Sequence, residues 1–268
     1  MNIQFYKYQG AGNDFIIIDA QEVNPFARIA DPGSMISFLC DRRFGIGADG
    51  LMLLSAHPKY DFEMVYYNAD GKEGSMCGNG GRCMVAFANH LGIIEDETIF
   101  LAVDGIHHAK IQSQQGNRFE VSLEMKEVLE IIQMGDDLFL DTGSPHFIRF
   151  VDNIDEVDVY GLGREIRNAP PFNQQGTNVN FAQIDKDTIH IRTYERGVED
   201  ETLACGTGIT AVAIAAFAKG HKQKNNLYKI KAKGGYLLVN FDASTKNTFK
   251  NIRLQGRATQ VFQGSIFV

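Results

Sequence analysis

Residues 75–92 read SMCGNGGRCMVAFANHLG, and residues 203–220 read LACGTGITAVAIAAFAKG. In both, a cysteine stands ahead of a glycine-bearing turn that runs straight into an almost wholly apolar helical segment. A cysteine used for packing sits inside an apolar face. Cys77 and Cys205 instead occupy the start of a helix, where backbone N–H groups point outward, the dipole is positive and a thiolate is stabilised. Cys77-Gly78-Asn79-Gly80 is thus answered by Cys205-Gly206-Thr207-Gly208, and each cysteine lies 15 residues before a glycine, Gly92 or Gly220, suited to a left-handed cap.

The repeat extends upstream. GNDFIIID (12–19) echoes SPHFIRFVD (144–152); Phe15 precedes Cys77 by 62 residues and Phe147 precedes Cys205 by 58. Most of the remaining chain reads as short β-branched or alternating strands, among them IQFYKY, LMLLS, FEMVYYN, FEVSLEM, NVNFAQI, TIHIRTYE and YLLVNF. Each half is therefore expected to hold many strands and one notable helix. Because those helices are apolar nearly all round, they are enclosed. The expected fold is α+β, with two pseudosymmetric lobes, each a curled, mainly antiparallel sheet around a central apolar helix, and the active cleft between the lobes.

Composition narrows the function. The chain has 268 residues, 44% of them hydrophobic, a formal charge of -7 and no cluster of Lys and Arg, which argues against nucleic acid as a partner. The opening MNIQFYKYQGAGNDF lacks a signal-peptide pattern, and the longest apolar run, ITAVAIAAFA, is about half of the ~20 residues a membrane helix needs. A cytoplasmic protein without membrane contact is expected, with Cys40, Cys77, Cys83 and Cys205 as thiols. No cysteine or histidine cluster has the spacing of a structural zinc site, so no metal is expected.

Two cysteine-bearing helix starts suit stereoinversion at one carbon. A thiolate takes a proton from one face while the opposite thiol delivers one to the other. A carboxylate on that carbon would rest among the N–H groups of Gly78, Asn79, Gly206 and Thr207, which also stabilise charge developing on deprotonation.

GAGNDFIIID, DRRFGIGADG, YYNADGKEGSMCGNGGRC, GSPHF, TNVNFAQ, YERGVEDETLACGTG and GRATQVFQG, in this order between residues 5 and 264, resemble the diaminopimelate epimerase family. The resemblance implies a cofactor-independent amino-acid epimerase that interconverts LL- and meso-diaminopimelate for lysine and peptidoglycan synthesis and is usually a homodimer. It implies lobes at 1–122, completed by about 257–268, and at 123–256. Cys77 and Cys205 then match the acid/base pair, assisted by His146 and Glu195. Asn13, Asn68, Asn178, Glu195 and Arg196 match the substrate-binding residues, with Gly78, Asn79, Gly206 and Thr207 as the carboxylate cradle. Arg196 would grip the distal carboxylate and Glu195 an ammonium.

The chain departs from the family pattern where Ser144 replaces a common asparagine, where Gly50 occupies a position some members give to glutamine, and in the longer spacing from Glu195 to Cys205. GIGADG (45–50) formally fits a dinucleotide fingerprint, but LMLLS after it is a strand pattern where a helix is required, so it reads as a turn between strands. Other readings of the same residues are a proline or hydroxyproline racemase, a non-catalytic amino-acid-binding module, and a thiol redox protein. Glu195 and Arg196 weigh against the first, and the lack of a C-x-x-C motif against the last.

Overall fold

The structure, a computed structural model, describes residues 2–74, 76–245 and 248–268. The chain forms two compact units. One runs through Leu123 and takes in Gly256–Val268; the other is Glu124–Gln255.

In the first unit the elements are β1 (Asn2–Gly10), β2 (Asn13–Asp19), α1 (Pro32–Cys40), β3 (Gly50–Ser55), β4 (Phe62–Asn68), α2 (Gly78–His90), β5 (Glu97–Ala102), β6 (Gly105–Gln115) and β7 (Arg118–Glu124). The second contains β8 (Ile132–Met134), β9 (Asp137–Asp141), β10 (Pro145–Phe150), α3 (Val159–Asn168), β11 (Asn178–Asp185), β12 (Thr188–Glu195), β13 (Asp200–Thr202), α4 (Gly206–Ala218), β14 (Leu227–Ala232) and β15 (Gly235–Thr245). The last strand, β16 (Thr248–Phe267), supplies its first residues to the second unit and its remainder to the first.

Duplication is visible in the pairings. Most neighbours are antiparallel, and the parallel pairs are β2–β3 and β4–β5 in one unit and β10–β11 and β12–β14 in the other. Parallel neighbours need a crossover, and in every case a helix provides it: α1 and α2 in the first unit, α3 and α4 in the second. The Phe15–Phe147 echo therefore marks β2 and β10 as equivalent strands, and the two Cys-Gly-x-Gly segments open equivalent helices. In the first unit, β16 pairs with β7 over Gly256–Thr259 and with β1 over Thr259–Phe267, so the pairings that leave β1 through β2 return to it.

The sequence leads one to expect one helix per half; each unit has two. The reason lies in the strands. Phe15, Ile16, Ile17 and Ile18 are all buried, as are Leu51, Met52, Leu53 and Leu54, because α2 packs on β2 and β3 while α1 packs in the cluster of Ile16, Ile18, Leu51 and Leu53. Continuous apolar runs of this kind need cover on both faces. In the second unit α4 contacts β10–β12, while Val159 of α3 packs in a cluster with Phe147, Val179, Phe181 and Tyr194. Start signals were present in Asp31, which caps Ser34 N at 3.1 Å ahead of Pro32, and in Asp158, which caps Gly161 N at 2.9 Å.

The enclosed helices match the expectation. Every residue from Gly78 to Ala88 of α2 is buried, as is every residue from Gly208 to Ala216 of α4. Glycine-rich first turns have poor helix propensity, so burial of side chains such as Met84, Val85 and Phe87, about 1.5–3 kcal/mol each, holds the helix in place. Both helices stop identically: Ile93 N–H donates to Ala88 O and His221 N–H to Ala216 O, each at 3.0 Å, past Gly92 at φ +71° and Gly220 at φ +92°. Among the described residues, no helix is long and apolar enough to cross a membrane.

Candidate active site

Each unit presents one cysteine as the N-cap of its enclosed helix, with nearly the same backbone: φ −106°, ψ 124° at Cys77 and φ −106°, ψ 112° at Cys205. The helical ladders begin where Gly81 N–H donates to Cys77 O at 2.7 Å and Ile209 N–H to Cys205 O at 2.9 Å. Gly78 and Asn79, and likewise Gly206 and Thr207, thus lie in the first turn ahead of the ladder, at the positive end of each helix.

In the first unit, the Cys77 thiol donates to Asn13 Oδ1 at 3.5 Å. Asn13 is oriented by Asp49, whose Oδ2 accepts from Asn13 Nδ2 at 2.6 Å. That bond leaves the amide oxygen for the thiol. Asp49 is held by Arg42 Nη2 at 2.7 Å, and Arg42 also forms a fork on Asp14 at 2.6 and 3.0 Å, while Lys7 reaches Asp14 at 2.8 Å. Burial pushes the Asp14 carboxyl up, but hydrogen bonds from Arg42 and Lys7, together with their charges, outweigh it and hold it well below the usual carboxylate range. Asn68 is exposed at the end of β4, opposite Gly50, and shares no hydrogen bond with Asn13 or Cys77 among the described residues.

In the second unit, Cys205 Sγ lies 3.3 Å from Thr207 Oγ1. Asn178, Arg196 and Ser144 form a second group: Asn178 Nδ2 donates to Ser144 Oγ at 2.9 Å, Arg196 N–H donates to Asn178 Oδ1 at 2.9 Å, and Arg196 Nη2 reaches Ser144 Oγ at 3.4 Å. The shorter Ser144 side chain is thus a working member of this cluster. Glu195, next in chain to Arg196, is partly buried; burial raises its carboxyl pKa against an opposing bond from Thr202 Oγ1 at 2.7 Å.

His146 lies under the first turn of α4. A methyl at Gly208 would fall 2.5 Å from Asn180 Oδ1 and 3.2 Å from His146 Cε1, so only glycine admits this approach. Thr193 Oγ1 donates to Asn180 Oδ1 at 3.0 Å, leaving Asn180 Nδ2 to donate to His146 Nδ1 at 3.1 Å. The imidazole therefore carries its proton on Nε2. Burial above all, then the Arg196 charge, pushes its pKa down to about 3, against the Asn180 bond.

A fully buried neutral imidazole makes stability depend on acid. Between the unfolded value of about 6.5 and the folded value of about 3, the unfolded chain binds a proton that the folded chain does not. Stability is therefore present above pH 6.5 and lost as pH falls, by about 1.4 kcal/mol per pH unit. His146→Gln should flatten the pH 6.5 to 4 part of a urea-denaturation series. Asp14, whose folded pKa is lowered, acts in the same sense, but below its unfolded value of about 4. An unchanged slope in His146→Gln would contradict the burial of a neutral ring.

The structure therefore joins Cys77 to Asn13, Asn178 to Arg196 and Cys205 to Thr207. The sequence reading missed Asp49 and Asn180. Asp49 sits in GIGADG, which joins α1 to β3, where a turn between strands was expected. Asn180 carried a signal, because it follows Asn178 by two positions on β11 and so shares its face. Among the described residues, no three His, Cys, Asp or Glu side chains gather as a metal site requires. The remaining cysteines differ: burial pushes the Cys40 thiol up to about 11 and raises that of fully buried Cys83 further.

Residues 5–128 and 138–260 match the family model for diaminopimelate epimerase. A diaminopimelate epimerase from Flavobacterium psychrophilum is 49% identical over 266 residues, covering 98% of this chain and 100% of the relative. One from Aquifex aeolicus is 37% identical over 277 residues, covering 98% of both. In fold, the chain is similar to a phenazine biosynthesis protein of the PhzF family from Bacillus anthracis, with a TM-score of 0.73 at 14% identity and full coverage of both chains. With a family match that covers both repeated halves, and one cysteine-capped helix enclosed in each half, this chain belongs to the diaminopimelate epimerase family of isomerases.

Proposed function

We propose that the protein interconverts LL-2,6-diaminopimelate and meso-2,6-diaminopimelate by two-base proton transfer, on the route to lysine and peptidoglycan. The observation that carries this reading is the pair of cysteine N-caps, Cys77 and Cys205, on equivalent enclosed helices of a duplicated fold. Inversion needs an acceptor on one face of the α-carbon and a donor on the other, and the two thiols supply one each. The labels acid and base exchange with the direction of reaction.

Each residue has a task in this reading. The opening N–H groups of α2 and α4, from Gly78, Asn79, Gly206 and Thr207, receive the carboxylate of the reacting centre and the charge that spreads onto it in the transition state. Asn13 holds the Cys77 thiol, His146 supports the first turn under Cys205, and Glu195 assists proton transfer while facing an ammonium. Arg196, with Asn178, Asn68 and Ser144, takes the distal amino-acid head. By the same family likeness we take the enzyme to act without a cofactor, in the cytoplasm, as a homodimer.

The decisive test is incubation of the pure protein with LL-diaminopimelate in D2O with nothing else added, followed by NMR and chiral analysis. Deuterium at the α-carbon together with meso product is expected. Binding without exchange would leave a non-catalytic amino-acid module in its place.

A further inference from the structure

Arg82 is an anomaly in α2. It stands in the turn that follows Cys77-Gly78-Asn79-Gly80, it is completely buried, and one of its nitrogens, Nη2, donates to Asn79 Oδ1 at 2.6 Å. Nε and Nη1 are buried with no hydrogen-bond partner among the described residues. A guanidinium stays charged at neutral pH even though burial pulls its pKa down, so an unneutralised cation lies inside the first unit. Placing one there is costly, and its retention calls for a role.

The groups that face it do not cancel the charge. Cys83, beside it on α2, is a buried thiol whose pKa is raised. Glu120 on β7 is partly exposed and already paired with Arg257 of β16 at 3.1 Å. The remaining group that interacts electrostatically with the guanidinium is Cys77. In a low-dielectric interior a buried charge acts at greater strength than an exposed one.

The equivalent helix lacks this charge. Five residues after Cys205 stands Thr210, a neutral side chain whose hydroxyl donates to Gly206 O at 3.0 Å. In the second unit lie neutral His146, the Glu195 carboxyl and the Arg196 guanidinium, the last on an exposed residue where solvent screens it.

We propose that Arg82 is a positioning residue for the first half-site: its buried guanidinium fixes the Asn79 side chain and supplies the positive charge against which Cys77 carries the resting thiolate, leaving Cys205 as the resting thiol. This deepens the two-thiol reading and rests on it. Alkylation chemistry tests it without recourse to turnover.

The experiment measures the pH dependence of alkylation of Cys77 and Cys205 by iodoacetamide, with peptide mass spectrometry to separate the two. In the wild-type protein the midpoint for Cys77 should lie below that for Cys205. Arg82→Met should raise the Cys77 midpoint by about one unit, which is a tenfold loss of thiolate at pH values below both midpoints, and leave that of Cys205 in place. Arg82→Lys, which keeps the charge but not the fork, should retain most of the lowering. A purely packing role for Arg82 leaves the Cys77 midpoint unmoved in Arg82→Met, and that result overturns the proposal. So does a wild-type Cys77 midpoint at or above that of Cys205, a comparison that needs no variant to fold. Failure of the epimerase reading is a different result, the absence of α-deuteration in the wild-type protein.

Discussion

Cys77→Ala and Cys205→Ala should each lower the rate of epimerisation by about a thousandfold or more, the scale on which a positioned acid or base contributes. Each variant retains a base on one face of the α-carbon only. Any deuterium it still incorporates from D2O should therefore enter with retention, and for one epimer and not the other. The two variants should show opposite epimer preferences. Their complementarity separates a two-base mechanism from simple loss of structure. Cys40→Ala and Cys83→Ala are the controls, since both thiols are buried and raised in pKa, and they should keep most of the activity. Inversion at more than about one per cent of the wild-type rate in either Cys77→Ala or Cys205→Ala would sink the assignment.

Arg196→Lys should lower kcat/KM for diaminopimelate by about thirtyfold, roughly 2 kcal/mol. The Cys-Gly-x-Gly turns treat every α-amino acid alike, so preference for a substrate with two amino-acid heads must come from elsewhere. Arg196 has the planar fork that matches a carboxylate, and its backbone and side chain are tied to Asn178 and Ser144. Lysine offers a point charge in place of the fork, so the distal head is held loosely and the reacting carbon is misplaced. Wild-type protein should also turn over proline and lysine poorly, since neither carries the distal carboxylate. Efficient turnover of proline, with Arg196→Lys within threefold of wild type, would move the protein to the proline racemase type while leaving the two-thiol chemistry in place.

What the sequence alone determined is what local chemistry encodes. Cys77 and Cys205, the glycines behind them, the apolar runs and the glycines at 92 and 220 specify two capped, enclosed helices, because propensity, capping and periodicity act within a few residues. The match of one segment to the other made the duplication legible, and the ordered motifs pointed to the family. Tertiary structure alone decided the rest. The covering helices α1 and α3 were implied only indirectly, by strands with no alternation, since burial on both faces is a property of the assembled layers. Asp49 orients Asn13 from 36 positions away, and Asn180 sets the His146 tautomer from 34 positions away. In the sequence Arg82 is one more basic residue. It becomes a buried, unneutralised cation only when β1, β2, β3 and β6 close around α2, because the energy of a charge depends on what the fold removes from around it.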